Sequence, residues 1–221
     1  MFLKVCCIAD LAEARLAVSA GAAAVGLVSE MPSGPGVIPD ELIAEIAARI
    51  PRPTETFLLT ARRDADSIAE QHRRCRTTAL QLVDQVPAVE LRRLRMRLPG
   101  VRLVQVVHVD GEESVEEARA AAELVDTLLL DSGNPHLPVK QLGGTGRVHD
   151  WSCSRRIREI AGVPVLLAGG LHPGNAGAAI AAVAPAGLDV CSGLRTNGKL
   201  DAAKLAAFVA AIGLYHRRLP A

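Results

Sequence analysis

Short runs of branched and leucine-rich residues recur along the chain, each bounded by turn-forming residues: Phe2–Ile8, Ala23–Ser29, Glu55–Thr60, Ala79–Asp84, Arg102–Val109, Thr127–Asp131, Pro164–Ala168 and Leu188–Cys191. Their lengths suit β-strands. Between them apolar residues return at helical spacing, as in Leu42, Ile43, Ile46 and Ile50, or Ala203, Leu205, Phe208, Val209 and Ile212. Several helix starts carry their own chemistry. Asp10 with Glu13 predicts a capping box, Pro39 suits a first-turn position, and Asp150 and Asp201 can each accept first-turn amide hydrogen bonds.

Strand alternating with helix implies parallel pairing, because each crossover helix returns the chain to the same end of the sheet. Eight such units predict a closed (β/α)8 TIM barrel, with residues 1–221 forming one domain undivided by any Pro/Ser-rich linker. A doubly wound open sheet would want a glycine-rich turn after its first strand, and here that turn is Ala9-Asp10-Leu11.

Composition narrows the function classes. With 221 residues, 49% hydrophobic and 22% charged, the chain can bury a full core and is no disordered tail. Lys+Arg at 25 against Asp+Glu at 24 leaves no field to hold a polyanion or an acidic membrane, so neither nucleic acid nor membrane is expected as a partner. The five cysteines (6, 7, 75, 153 and 191) are odd in number and lack CxxC pairing, so reduced thiols and no metal site are expected. The start MFLKVCC does not read as a secretory signal, and no apolar run reaches the ~18 residues of a membrane span. A cytoplasmic protein is expected.

In a barrel of this kind chemistry gathers on the loops that follow the strands. Two of these are long: Glu30 to Ile38 after the second strand, and Ser132 to His149 after the sixth. In the first run, alternation sets Lys4, Cys6 and Ile8 on one face and Leu3, Val5 and Cys7 on the other. The apolar set should meet the helices, leaving Cys7 as a small hydrophobe there and turning Lys4 and Cys6 inward. Cys6 is then a candidate base or nucleophile, against the plainer reading of a buried core thiol. Asp131 ends the run Leu128-Leu129-Leu130, where a carboxylate is costly without a task or a partner. It suits a general acid, or equally a loop cap.

Gly143-Gly144-Thr145-Gly146, Gly169-Gly170 after the seventh strand and Ser192-Gly193 after the eighth can turn bare amides toward one anion. They predict a phosphate grip, with ordinary turns as the competing reading. Lys-Ser/Thr does not follow the glycines, so this is no nucleotide P-loop, and GxSxG, HExxH and clustered Cys/His patterns are missing. Among the histidines, His108, His136 and His149 stand nearest such loops and read as surface or supporting groups.

Lys4-Val5-Cys6-Cys7-Ile8, Leu130-Asp131-Ser132, Gly143-Gly144-Thr145-Gly146 with Asp150-Trp151, Leu167-Ala168-Gly169-Gly170-Leu171, and Asp189-Val190-Cys191-Ser192-Gly193 with Gly198-Lys199 together resemble the phosphoribosylanthranilate isomerase family of tryptophan biosynthesis. The resemblance implies an Amadori rearrangement of N-(5-phosphoribosyl)anthranilate to 1-(2-carboxyphenylamino)-1-deoxyribulose 5-phosphate, without a cofactor. It assigns Asp131 as the acid that protonates the ribose ring oxygen and Cys6 as the base that takes the C2 proton. The two roles make opposite demands. A carboxyl must stay protonated near neutrality while a thiol is partly ionised, which desolvation and a nearby Lys4 would respectively favour. The implied partner is a small phosphorylated sugar-amine substrate, on a monomer or homodimer.

The departures are specific. The family follows its first-strand cysteine with glycine, where this chain has Cys7, and has threonine where Ala9 stands. Its strand-four Gln-Leu-His-Gly becomes Gln81-Leu82-Val83-Asp84. The arginine that binds the anthranilate carboxylate corresponds to Gly36, and no Lys or Arg occurs from Leu16 to Ala48. Arg62 or Arg63, just past the third strand, are candidates to replace it, while Asp84 at the same mouth would repel a carboxylate. Two alternatives follow: a related phosphosugar or Amadori isomerase acting on a different amine, or a catalytically silent barrel that binds a phospholigand.

Overall fold

The structure, a computed structural model, describes residues 1–134, 137–143 and 146–216. Eight parallel strands, β1 (Phe2–Val5), β2 (Ala24–Val28), β3 (Glu55–Thr60), β4 (Ala79–Leu82), β5 (Arg102–His108), β6 (Thr127–Asp131), β7 (Val165–Leu167) and β8 (Gly187–Val190), pair in chain order, and β1 closes on β8. The helices α1 (Leu11–Ser19), α2 (Asp40–Arg49), α3 (Ala65–Cys75), α4 (Ala88–Arg97), α5 (Glu113–Ala122), α6 (Trp151–Ile160), α7 (Ala176–Val183) and α8 (Ala202–His216) follow the strands one by one. This is the (β/α)8 barrel that the alternation predicts.

Strand pleating divides the apolar residues into two cores. Leu3, Val5, Leu58, Leu80, Leu103, Leu128 and Leu130 pack outward against the helices. Phe57, Leu59, Val104, Val106, Leu129 and Leu166 fill the barrel itself. The same alternation turns Lys4 inward, fully buried, and Cys6 with it.

The first strand corrects one expectation. Its ladder ends at Val5, and Cys7 takes a left-handed backbone with φ 61°. That single residue breaks the two-residue period, so Cys7 joins the inner cluster and Ile8 joins the outer one, the reverse of the expected faces. A left-handed conformation costs a non-glycine residue ~1–2 kcal/mol. Arg195 offsets it by donating from Nη2 to the carbonyl oxygens of Cys7 and of Cys6, the latter at 3.3 Å.

Arg195 is delivered by a small hairpin past the eighth strand, β9 (Arg195–Thr196) and β10 (Lys199–Leu200), turned by Asn197 and Gly198 at φ 50° and 78°. Consecutive positive φ angles explain why Asn-Gly occupies the turn. Glu13 of α1 meets the arginine at 3.0 Å, and its carboxylate also accepts from the amides of Leu200 at 2.8 Å and Ala9 at 3.1 Å. The Asp10–Glu13 capping box is therefore half formed. Asp10 caps Glu13 N at 2.8 Å, while Glu13 reaches past the cap residue to Ala9 and the hairpin. Pro39 stands at the N-cap of α2, one residue before the first turn, and Asp150 and Asp201 accept from Ser152 and Ala203 as expected.

Candidate active site

The strand ends open into one pocket at the C-terminal mouth of the barrel, and both Cys6 and Asp131 line it. Cys6 follows the last residue of β1, and its amide donates to Val190 O at 2.8 Å, so the residue is pinned beside β8. Its thiol turns toward β2, where a Cβ on Gly26 would lie 2.7 Å from Sγ and 3.0 Å from Lys4 Nζ. Glycine at 26 is thus a requirement of the site: any larger residue would occupy the space of the thiol.

Lys4 Nζ donates to Cys6 Sγ at 3.3 Å and to Asp189 Oδ2 at 2.9 Å, and lies 5.5 Å from the centre of the Phe57 ring. Burial alone would depress the ammonium's pKa, but the nearby Asp189 and Cys6 outweigh it and hold the group above its ordinary value. The cation therefore stays charged beneath the thiol. The Lys4–Asp189 pair spans the seam where first and last strands join, in register in the ladder. Asp189 Oδ1 is buried with no hydrogen-bond partner among the described residues, although Asp189 lines the pocket. Gln81, 4% exposed on β4, is alike: it lines the pocket and its Oε1 is unpartnered. Buried polar atoms of this kind are costly unless a ligand completes them.

Asp131 closes β6 with Oδ1 accepting from the Ser132 amide at 2.7 Å. The loop then folds back over it, so that a Cβ on Gly143 would stand 2.5 Å from Oδ2. Behind this carboxylate, His149 hydrogen bonds Ser154 Oγ through Nε2 at 2.7 Å and leaves a buried, unpartnered Nδ1. Burial lowers its pKa more than the charges of Asp131 and Asp150 raise it, so the ring is neutral at pH 7. His108 is buried under the same loop with Nε2 at 3.0 Å from Val83 O, while His136 lies outside the described residues.

Of the glycine-rich segments, Gly143, Gly146, Gly169, Gly170 and Ser192 line the pocket. Gly169 and Gly170 have φ 81° and 62°, and a Cβ on Gly146 would come within 3.6 Å of Ser192 Oγ, so the loops after β6, β7 and β8 converge. Gly193 does not line the pocket but packs so closely that a Cβ would lie 2.0 Å from Leu171 O. Gly144 and Thr145 lie outside the described residues. The rest of the pocket is largely apolar: Val28, Met31, Pro35, Leu59, Val83 and Leu142. The two long loops meet over it, with Ser33 Oγ donating to Lys140 O at 2.6 Å.

One of the two arginines past β3 is engaged elsewhere. Arg63 Nε donates to Gln85 O at 2.8 Å, and neither it nor Arg62 lines the pocket. Asp84 is neutralised rather than free to repel an anion, since Lys140 Nζ lies 2.6 Å from its Oδ2. Among the described residues no group of three or more His, Cys, Asp or Glu side chains is arranged to hold a metal ion, and no helix is long and apolar enough to cross a membrane.

The family model for N-(5'-phosphoribosyl)anthranilate isomerase matches residues 3–211, spanning all the strands that build this pocket. The chain belongs to this family. A phosphoribosylanthranilate isomerase of Desulforudis audaxviator is 38% identical over 208 residues, covering 94% of this chain and 95% of its own. The crystal structure of the isomerase from Thermotoga maritima superposes with a TM-score of 0.82 at 28% identity, covering 96% of this chain and 99% of that one. Another isomerase structure, 26% identical with a TM-score of 0.80 and covering 96% and 99% of the two chains, holds reduced 1-(o-carboxyphenylamino)-1-deoxyribulose 5-phosphate.

The residues that sequence reasoning missed are Gln81, Asp189 and Arg195. Asp189 carried the same signal as Asp131, a carboxylate inside an apolar strand. Arg195 was announced by the Asn-Gly turn two residues later, a strong hairpin signal.

Proposed function

We propose that this one-domain barrel isomerises N-(5-phosphoribosyl)anthranilate to 1-(2-carboxyphenylamino)-1-deoxyribulose 5-phosphate. Asp131 donates its proton to the ribose ring oxygen as the C1–O bond breaks, leaving an open-chain iminium. Cys6 as thiolate then removes the C2 proton, and the C–H electrons flow into the imine to give an enolamine. Its hydroxyl proton is lost as C1 is protonated, and the ketone results. Atoms and electrons balance within the substrate, so no external oxidant or reductant is called for.

The observation that carries this reading is the convergence of Cys6 and Asp131 on one pocket, with a buried ammonium 3.3 Å from the thiol. Lys4 Nζ donates to the sulfur that is proposed to take the proton. Asp189 Oδ1 and Gln81 supply unpartnered polar atoms suited to the sugar hydroxyls, while Gly143, Gly146, Gly169, Gly170 and Ser192 line the pocket where the phosphate grip is proposed. The apolar wall by Met31, Leu59 and Leu142 suits the aromatic ring. Cys6→Ala and Asp131→Asn should each lower kcat by ~100-fold or more with the fold intact by circular dichroism, as expected for loss of a general base or acid. Wild-type-like turnover in either variant overturns the assignment.

A second reading, an isomerase whose amine carries no carboxylate, has one observation in its favour: no Lys or Arg side chain lines the pocket among the described residues. Under the first reading the carboxylate is met from the rim, and Arg62→Ala or Arg63→Ala raises KM for phosphoribosylanthranilate by ~10-fold or more. Under the second, N-phosphoribosylaniline is turned over at least as well and both variants are neutral.

A further inference from the structure

Three of the five cysteines, two more than the proposed reaction uses, meet at one place. Val5 and Val190 are partners in the β1–β8 ladder, so the residues that follow them, Cys6-Cys7 and Cys191, leave adjacent strand ends side by side. The left-handed turn at Cys7 swings its side chain inward, and all three residues line the pocket. Cys6 and Cys7 belong to one inner cluster with Cys191 packed against it, and Cys191 is the strongest influence on the Cys7 thiol. The three differ in access: Cys6 and Cys7 are each 6% exposed, whereas Cys191 is only half-buried at the wall.

We infer that Cys7 and Cys191 form a reversible, peroxide-sensitive thiol pair in the pocket wall, a modification site that shields Cys6. Cys191 is the attacking member. It is the accessible thiol, and the Arg195 guanidinium, whose Nε has no hydrogen-bond partner among the described residues, stands beside it. Contact with Cys7 and the cationic Arg195 lowers the pKa of Cys191 despite burial, while the same contact raises that of Cys7. A partly exposed thiol beside a guanidinium and next to a resolving thiol is the arrangement of peroxide-sensing cysteines.

The chemistry closes with hydrogen peroxide as the only oxidant. The Cys191 thiolate attacks one peroxide oxygen, the O–O bond breaks, and the departing hydroxide takes up a proton as water. Cys7 sulfur then attacks the sulfenyl sulfur of Cys191, the S–O bond breaks, and the leaving hydroxyl departs as water with the Cys7 proton. Two thiols and one peroxide give one disulfide and two waters. Cys6, 6% exposed and hydrogen bonded to Lys4 on the barrel side, stays reduced. Cys7 stands one residue out of register with Cys191 across the end of the β1–β8 seam. The cross-link draws together the wall on either side of Cys6, and turnover falls ~10-fold or more, as it does when a catalytic group is displaced by an ångström or less.

The test is peptide mapping of the full-length protein after limited hydrogen peroxide and alkylation, with turnover followed in parallel. The expected product is a chain lighter by two hydrogens in which the Cys7 and Cys191 peptides are joined, Cys6 is still alkylated, and dithiothreitol restores both thiols. Cys191→Ser should abolish the cross-link and leave Cys6 to take up oxygen. The inference is overturned if Cys7 and Cys191 remain alkylatable while Cys6 is oxidised, if the bond joins Cys6 to Cys191, or if it forms only between chains. The mass readout on the wild-type protein needs no turnover, so it stands or falls separately from the proposed isomerase reaction.

Discussion

Lys4 sets the electrostatics of the site from within the barrel. Its ammonium has no contact with water and is held by one carboxylate, one thiol and an aromatic ring. Replacing it with methionine keeps the length of the side chain but leaves Asp189 buried without its cation and Cys6 without its donor. Lys4→Met should therefore lower kcat/KM by ~10–100-fold, equivalent to losing a charge-assisted hydrogen bond at the base, and also lower Tm. Steady-state kinetics beside a thermal melt read both effects, and an unchanged kcat/KM would remove Lys4 from the mechanism. The inward direction of Lys4 and Cys6 was legible in the sequence, because strand alternation is local. The partner of Lys4 was not, since Asp189 stands 185 positions away and only barrel closure brings it near.

At the level of elements, the loop after β2 and the end of β1 are matched to one another. Gly36 has φ 80°, and a Cβ there would lie 2.6 Å from Cys7 Cβ and 3.0 Å from its Cα. Cys7 occupies the space that a side chain at 36 would need. Gly36→Arg alone should thus lower activity and cost roughly 1–3 kcal/mol from strain and overlap, while adding Cys7→Gly should relieve the overlap and recover part of both losses. A double-mutant cycle on stability and kcat/KM measures the coupling, and additive effects would refute it. The sequence showed that positions 7 and 36 both depart from the family pattern. That the two departures share one volume depends on loop packing, which no local pattern encodes.

For the whole molecule, Glu13 and Arg195 tie the first helix to the final hairpin and brace the backbone that carries Cys6. Burial alone would raise the Glu13 carboxyl, but Arg195 and the amides of Leu200 and Ala9 outweigh it and hold its pKa below the ordinary value. Because the folded-state value is depressed, the stabilisation is present above the unfolded pKa of ~4.3 and is lost as pH falls through the folded value. Glu13→Gln should cost about 2 kcal/mol in urea unfolding at pH 7, with the gap to wild type closing below pH ~4. A gap independent of pH would show that the carboxylate charge contributes nothing. By itself the sequence determined the eightfold alternation, the polar face of the first strand and the carboxylate that ends the sixth, all properties of neighbours along the chain. The tertiary structure alone decided which way Cys7 turns, what holds Lys4 charged and where Arg195 lands. Each of these depends on groups from opposite ends of the chain, which become neighbours only when β8 hydrogen bonds to β1.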